Sequence, residues 1–220
     1  MPRIARIVAT GFPYHIIQRS NRRQKIFFAK QTRKKYLELL KEYSQKWFGS
    51  ILAYCLMTNH VHLLIKPLQS ESLSKIMQGV SLCYTQFSNK RYKKTGRLWE
   101  SRYYSSVIDE EPYLWAVARY IEQNPVRAGL VKHPEDYPYS SARAHITGAK
   151  NDILTEPLFD EADLLEYVKF VKEPADDKEL KSIRNATRGG HPLGDEGFVN
   201  KIGELLGVDF KKIVSAKADK

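Results

Sequence analysis

Cysteines and long apolar runs are both scarce in this sequence. The chain has two cysteines, Cys55 and Cys83, and no C-x-x-C pair, which excludes a disulfide framework and predicts buried free thiols in a reducing compartment. No stretch approaches the roughly 20 apolar residues that span a bilayer. The basic N-terminus has neither the apolar segment nor the small-residue cleavage site of a signal peptide. We therefore expect a cytoplasmic protein that does not contact membranes.

Acidic residues are scarce in the first two thirds of the chain. Residues 1–150 hold 25 Lys and Arg against 10 Asp and Glu, a balance of +15, whereas residues 151–220 hold 11 against 15, a balance of −4. A body this basic attracts polyanions. Most of the 13 tyrosines lie in the same basic part, and bases stack on aromatic rings while Lys and Arg follow phosphates. The composition predicts a nucleic-acid partner, with an ordinary basic surface as the alternative.

Hydrophobic periodicity predicts an α+β fold. The order β-α-β-β-α-β-α is the ferredoxin-like, split β-α-β pattern, in which helices back an antiparallel sheet. The composition turns acidic near residue 149, so we predict a first domain over 1–148 and a mainly helical C-terminal extension over 149–220. The predicted strands cover 12–20, 50–57, 60–66 and 98–109, and the predicted helices cover 31–47, 72–92, 111–124, 160–172 and 195–206.

The segment MTNHVHLLI, residues 57–65, places two histidines inside an apolar strand. Side chains of a strand alternate between faces, so His60 and His62 point the same way, roughly 6.5–7 Å apart, while Val61 and Leu63 enter the core. Two imidazoles on one face can hold a divalent metal if a third ligand comes from elsewhere. A half-exposed strand can also carry histidines that bind nothing, so the motif alone is a weak signal.

The helix ARYIEQNPVRAGLV, residues 118–131, offers such partners. Tyr120 and Asn124 are four residues apart and share a helix face. An Asn amide oxygen can bind a hard cation, and a Tyr can act as a covalent nucleophile. An equally simple interpretation is a core tyrosine followed by a helix-end asparagine before a proline.

Several motifs together resemble the REP-associated tyrosine transposases, relatives of the HUH-type, single-tyrosine transposases of small insertion sequences. MTNHVHLLI, GRLWESRYYSSVID and RYIEQNPVRAGLV occur here in the order and spacing of that family. HIIQRSNRRQKIFF resembles the family's first strand and loop, and GGHPLGDEGFV resembles a common tail pattern. The resemblance covers about residues 10–148 and, less closely, 187–200.

The resemblance implies a complete active site. His60, His62 and Asn124 correspond to the metal ligands, with Gln123 as second choice for the third position, and Tyr120 corresponds to the nucleophile. The family uses Mg²⁺ or Mn²⁺, whereas ligand softness alone indicates zinc or manganese. The implied reaction is cleavage and rejoining of single-stranded DNA at palindromic REP hairpins through a 5′-phosphotyrosine. A phenol is mostly protonated at neutral pH, so a nearby cation or proton acceptor must assist it.

Two basic segments, residues 21–25 and 91–97, are candidates for phosphate contacts, with ordinary surface charge as the alternative. Trp99 fits a buried anchor of the sheet better than a stacking platform, and His15 fits a structural histidine. The predicted DNA-binding residues are Arg19, Asn21, Arg22, Arg23, Lys25, Arg91, Lys93, Lys94, Arg97, Arg102 and Arg127.

Two other functions remain open at this point. One is a catalytically silent regulator of the same fold that binds DNA or RNA, which the intact set of candidate catalytic residues disfavours. The other is a self-mobilising insertion-sequence transposase, which the long C-terminal extension disfavours. We expect a monomer, although a dimer is the alternative because insertion-sequence relatives form dimers that share active sites.

Overall fold

The computed structural model describes residues 8–109 and 113–210. Its strands are Tyr14–Arg19 (β1), Gly49–Leu56 (β2), His60–Pro67 (β3) and Tyr104–Val107 (β4). Its helices are Lys30–Lys46 (α1), Ser72–Tyr92 (α2), Tyr113–Glu122 (α3), Asn124–Arg127 (α4), Ala142–Thr147 (α5), Leu164–Lys172 (α6), Asp177–Gly189 (α7) and Glu196–Leu206 (α8). Short 3₁₀ turns lie at Asn21–Arg23, Pro134–Asp136 and Glu161–Asp163.

The four strands form one antiparallel sheet in the order β2-β3-β1-β4. The α+β class and the order of the first six elements are confirmed. The register pairs Arg19 with His60 and Ile17 with His62, so the end of β1 lies beside the candidate metal ligands. This position of β1 between β3 and β4 decides which side chains can surround the histidines.

The predicted fourth strand is much longer than the observed one. Only Tyr104–Val107 is a strand, because the preceding segment crosses the end of β1 instead of extending the sheet. The amide of Asn21 donates to the carbonyl of Leu98, and the amide of Glu100 donates to the carbonyl of Arg19. These bonds satisfy backbone groups without a regular ladder.

The predicted helix over 111–124 begins outside the described residues, in the part before Tyr113. It ends as α3 at Glu122, two residues earlier than predicted, and a short helix α4 restarts at Asn124. Pro125 lies in the first turn of α4, where its missing amide hydrogen costs no helical bond. Proline therefore separates two helices here instead of only ending one.

The sheet has a hydrophobic core on each face. The first core lies under α1 and α2 and contains Ile16, Val61, Leu63 and Ile65, all fully buried. Burial of each such side chain contributes about 1.5–3 kcal/mol. The predicted inward orientation of these β3 residues is confirmed. The second core packs Leu64 and neighbouring residues against α3, α6 and α7.

Helix α7, Asp177–Gly189, was not predicted from the sequence. It begins where the Asp176 carboxylate accepts from the amide of Glu179, at 2.7 Å, and it ends at Gly190, whose φ of 73° favours glycine. Leu180, Ile183 and Thr187 lie on its buried face at helical spacing. Both signals are present in the sequence, but the many charged residues of the segment masked them.

The C-terminal extension packs on the same sheet as the basic body. Tyr167 and Ile183 belong to the second core, and Phe198 and Ile202 belong to the first. The boundary at residue 149 stays a prediction. Cys55 is buried and Cys83 is half-buried, and both are free thiols. No helix within 8–109 and 113–210 has the length and apolar character that a membrane span requires.

Candidate active site

The two histidines of β3 lie side by side on the face opposite the first core. His62 is buried and His60 is half-buried, and their ring centroids are 5.0 Å apart with planes at 75°. Because Val61 and Leu63 hold the strand from the other side, both imidazoles are fixed on one face. The paired arrangement predicted from HVH is present in the structure.

Tyr120 is brought to this pair from α3. Its ring is buried and lies edge-on to His62, with centroids 5.6 Å apart. A residue 58 positions later in the chain thus contacts the second histidine directly. Helix α3 crosses β2 and β3, and this crossing gives Tyr120 its position.

His15 is a third histidine at the site, which the sequence did not indicate. It lies on β1, is fully buried, and stacks on His62 with centroids 5.4 Å apart and planes at 13°. It also lies edge-on to Tyr120, at 5.5 Å. The signal that could have found it is the split β-α-β order, which places β1 next to β3.

Burial lowers the pKa of all three imidazoles. The pKa of His15 falls to about 3 because of desolvation, and that of His60 falls to about 4 because of desolvation and the Arg19 charge. The pKa of His62 lies well below its ordinary value, first through desolvation and then through nearby His60, His15 and arginines. The rings are therefore neutral near pH 7, which is the form that binds a metal.

Local hydrogen bonds decide which nitrogen His60 presents. Asn59 Nδ2 donates to the Arg23 carbonyl, so Asn59 Oδ1 is the atom that lies 2.7 Å from His60 Nδ1. An amide oxygen only accepts, so His60 Nδ1 carries the proton and Nε2 keeps its lone pair. This tautomer suits a metal ligand that binds through Nε2.

The two candidates for the third ligand differ in their contacts. The Asn124 side-chain amide donates to the carbonyls of Tyr120 and Ile121 at 2.9 and 3.3 Å, which leaves Oδ1 available as an acceptor. The Gln123 amide donates to the carbonyls of Val171 and Glu173 at the end of α6, at 2.7 and 2.9 Å. These bonds engage Gln123 with residues 171 and 173 but leave its Oε1 available too, so Asn124 as the third ligand stays a prediction.

The proposed donor set is mixed, because an amide oxygen suits Mg²⁺ or Mn²⁺ whereas two imidazoles suit a softer ion. Two neutral imidazoles and one amide oxygen leave room for water and phosphate oxygens, as Mg²⁺ requires. Among the described residues, no three His, Cys, Asp or Glu side chains group closely enough to hold a metal by themselves. A closed structural zinc site of such ligands is therefore not formed in this part of the chain.

Arg127 covers the candidate nucleophile. Its guanidinium lies 4.7 Å from the centroid of the Tyr120 ring, and its Nη2 donates to the Tyr120 carbonyl. Its Nη1 is buried and has no hydrogen-bond partner within the described part of the chain. Desolvation by burial lowers the pKa of Arg127, so its environment is poorly hydrated. The sequence placed Arg127 among general DNA contacts, but its position is specific to Tyr120.

Helices α5, α6 and α7 anchor α3 through ion pairs and hydrogen bonds. Arg119 Nη2 is 2.6 Å from Glu179 Oε2 on α7. The fully buried Glu122 carboxylate accepts from Tyr167 on α6 at 2.9 Å and lies 2.6 Å from His145 Nδ1 on α5. Charge-assisted bonds of this kind are short and directional. They fix the helix on both sides of Tyr120.

The predicted phosphate-binding residues occupy three places. Arg22, Arg23 and Lys25 are exposed in the loop that bonds to Asn59 beside His60. Arg22 and Arg23 have φ near 54° and 55°, a region that residues with side chains adopt rarely. Asn21 lies in this loop and Arg19 precedes it, both half-buried.

The second segment, residues 91–97, lies over the start of α1. Arg91 donates to Gln31 Oε1 at 2.7 Å, and Lys94 lies 5.3 Å from the centroid of the Phe28 ring. Lys93, which ends α2 in a left-handed conformation, is exposed, as are Lys94 and Arg97.

Arg97 and Arg102 line a groove of about 690 Å³ between α2 and the segment before β4. Trp99 lies at its base, is buried in the first core, and donates from Nε1 to the Ser81 carbonyl at 3.3 Å. Trp99 therefore anchors the segment to α2, in agreement with the structural interpretation.

Comparisons with known proteins agree with the motifs. Residues 9–124, more than half of the 220-residue chain, match the family described as "Transposase IS200 like". A Haemophilus influenzae protein named "Putative REP-associated tyrosine transposase" is 27% identical over 103 residues, covering 41% of this chain and 57% of that protein. The matched region thus spans less than two thirds of that relative.

One solved structure, titled as a REP-associated tyrosine transposase bound to a REP hairpin, superimposes with a TM-score of 0.57. The match covers 80% of this chain and 100% of that chain, at 17% identity, which is a likeness of fold. The resemblance drawn from the sequence motifs is confirmed by these matches.

Proposed function

Since this chain belongs to the family of IS200-like transposases, we propose that it cuts and rejoins single-stranded DNA with Tyr120 as the nucleophile. The observation that carries the proposal is the packing of Tyr120 against His62 and beneath Arg127, on elements distant in sequence. A buried tyrosine that only filled the core would not require a guanidinium over its ring and two imidazoles edge-on to it.

We infer that His60, His62 and Asn124 hold the divalent ion, Mg²⁺ or Mn²⁺. Support comes from the neutral imidazoles, the lone pair at His60 Nε2 and the open amide oxygen of Asn124. Such an ion, when bound, supplies Lewis-acid polarisation of the scissile phosphate. The two histidines can present it on one face because the strand alternates.

The chain's own residues perform the transfer. The Tyr120 Oη attacks phosphorus, an O–P bond forms, the bond from phosphorus to the 3′-oxygen breaks, and the phenol proton is released while the 3′-oxygen gains one. The phosphodiester energy is kept in the 5′-phosphotyrosine, so a later 3′-hydroxyl can reverse the step without a nucleotide cofactor. Arg127 stabilises negative charge as it develops at the phenol.

We propose a REP-like hairpin as the DNA substrate. The proposal draws on the named relative and on the solved structure whose title states that it is bound to such a hairpin. The exposed loop of Arg22, Arg23 and Lys25 lies next to His60 and could follow the strand that enters the site. Arg97 and Arg102 at the groove beside Trp99 would contact a second part of the DNA.

The competing functions stay distinguishable by experiment. A silent DNA- or RNA-binding regulator would bind the hairpin without forming a covalent product. A self-mobilising transposase would form the same product, and its gene would lie between insertion-sequence ends. We propose that the protein acts as a monomer. In a dimer with shared active sites, Tyr120 would come from the partner chain, whereas here Tyr120 contacts His62 of its own chain.

The test is a covalent adduct between the protein and a labelled, single-stranded REP hairpin in Mn²⁺. The adduct should survive denaturation, and Tyr120→Phe should abolish it while hairpin binding persists. Tyr113→Phe, at the start of the same helix, is the matched control and should form the adduct normally. An adduct that persists in Tyr120→Phe would assign the nucleophile to another residue.

A further inference from the structure

A chain of hydrogen bonds runs from the C-terminal extension to the candidate metal ligand His62. On α7, Thr187 Oγ1 donates to the Ile183 carbonyl at 2.8 Å. His15 Nδ1 lies 2.8 Å from Thr187 Oγ1, and His15 Nε2 lies 3.1 Å from His62 Nδ1. Thr187, His15 and His62 are each at most 2% exposed, so water does not compete for these bonds.

The number of protons determines the direction of each bond. A threonine hydroxyl has one hydrogen, and Thr187 gives it to the Ile183 carbonyl, so Thr187 must accept from His15 Nδ1. A fully buried imidazole is neutral and carries one ring hydrogen, so His15 Nε2 accepts. His62 Nδ1 must then donate, which leaves the lone pair of His62 on Nε2.

We propose that Thr187 and His15 are positioning residues that hold His62 in the tautomer able to bind a divalent metal through Nε2. This inference rests on the proposed metal site and assigns a role in it to α7. The tautomer of His60 is set locally by Asn59, whereas that of His62 depends on a hydroxyl 125 positions later. The Arg119–Glu179 ion pair holds α7 against the helix of Tyr120, which keeps Thr187 in reach of His15.

Thr187→Val tests the proposal because valine keeps the shape and removes the hydroxyl. Without that acceptor, no hydrogen bond holds the proton of His15 on Nδ1. When this proton moves to Nε2, His15 no longer accepts from His62 Nδ1, and the proton of His62 can occupy Nε2. Thr187→Ser restores the hydroxyl and should restore the wild-type tautomer. The matched control is Thr147→Val on α5, where the hydroxyl also donates to the carbonyl four residues before it, at 2.7 Å.

The first readout is ¹⁵N NMR of the histidine rings in metal-free protein, with His62 assigned by its loss in His62→Gln. We expect a protonated Nδ1 and an unprotonated Nε2 for His62 in wild type, Thr187→Ser and Thr147→Val. In Thr187→Val the two nitrogens should average or exchange roles. A role limited to packing would leave this tautomer unchanged.

The second readout is Mn²⁺ affinity by calorimetry. Thr187→Val should bind about 10- to 100-fold more weakly, as for other losses of a group that orients a metal ligand. Thr187→Ser and Thr147→Val should stay close to wild type. If circular dichroism shows that Thr187→Val does not fold, Thr187→Ala, which adds no methyl group, carries the same expectation.

The outcomes separate this inference from the proposed function. A wild-type His62 that carries its proton on Nε2, or an unchanged tautomer and Mn²⁺ affinity in Thr187→Val, overturns the positioning role even if the DNA adduct forms. The expected tautomers and Mn²⁺ binding without any DNA adduct would instead support the positioning role and reject the proposed cleavage.

Discussion

Strand β3 presents one face to α1 and α2 and the other to α3, and the two faces carry different chemistry. Val61, Leu63 and Ile65 are fully buried among apolar side chains on the first face. The second face carries His60 and His62, which meet His15 and Tyr120. Burying polar rings costs free energy unless they are hydrogen-bonded. The apolar face holds the strand so firmly that the other can bury imidazoles in fixed positions.

The largest expected effect is on DNA cleavage, and it distinguishes the two faces of β3 through a pair of substitutions three residues apart. His60→Ala should reduce DNA cleavage by more than about 100-fold, because losing a metal ligand costs more than losing a group that orients one. Its free energy of unfolding should change little, since His60 is only half-buried. Single-turnover cleavage and urea unfolding measure the two quantities.

Leu63→Ala is the matched substitution on the other face. It should lower the free energy of unfolding by about 2–5 kcal/mol through the cavity it leaves, while the folded protein keeps its cleavage rate. Equal losses of activity and stability in both variants would contradict the division of roles between the faces.

A smaller effect is expected at Arg127. Arg127→Gln should slow cleavage at saturating DNA on the order of 10- to 100-fold. This loss is no larger than the one caused by removing a single hydrogen-bond donor that stabilises charge in a transition state. Arg127→Lys should recover part of this loss because it keeps the charge. The control is Arg97→Gln in the groove beside Trp99, which should weaken DNA binding and leave the saturated rate unchanged. A pure binding defect in Arg127→Gln would return this residue to the general DNA contacts.

The smallest effect concerns acid stability of the metal-free protein. Unfolded histidines take up protons below about pH 6.5, whereas folded His60 and His15 do so only near their lowered pKa values of about 4 and 3. The unfolded state therefore binds more protons between these limits, and the free energy of unfolding should fall as pH drops from about 6.5 to 4. Urea unfolding across this range measures the slope.

A matched pair of histidine variants sharpens this expectation. His60→Gln should make the free energy of unfolding fall less steeply as pH drops, because it removes one histidine whose pKa is lowered in the folded state. Replacing the exposed His133 by Gln should leave the slope as it is. A slope that is the same in all three proteins would mean that the buried rings do not limit acid stability.

Much of the fold and part of the site could be predicted from the sequence, because their signals are local. The alternation of HVHLLI places the histidines on one face. The prediction of one helix for Tyr120 and Asn124 is wrong, because these residues lie on α3 and α4, although the Asn124 side-chain amide still donates to the Tyr120 carbonyl. Helix α7 was missed because its apolar residues are spread among many charges, and the fourth strand was overextended because its first half bonds to β1 as irregular backbone.

The remaining site residues carry no local signal. His15 appears as one histidine in an apolar strand, and His145, which bonds to buried Glu122, lies outside every motif. Arg127 appears as one more cation in a basic chain. The role of each residue depends on the residue it contacts, and that partner lies far away in the sequence or on another helix.

The sequence by itself determined the order of the first six strands and helices, the face of β3 that carries the imidazoles, and the family to which the chain belongs, since these depend on spacing along the chain. Only the tertiary structure decided that His15 stacks on His62, that Arg127 covers Tyr120, and that Thr187 bonds to His15 across 172 residues. The physical reason is that periodicity sets which way a side chain points, whereas its partner is set by the packing of whole elements against each other.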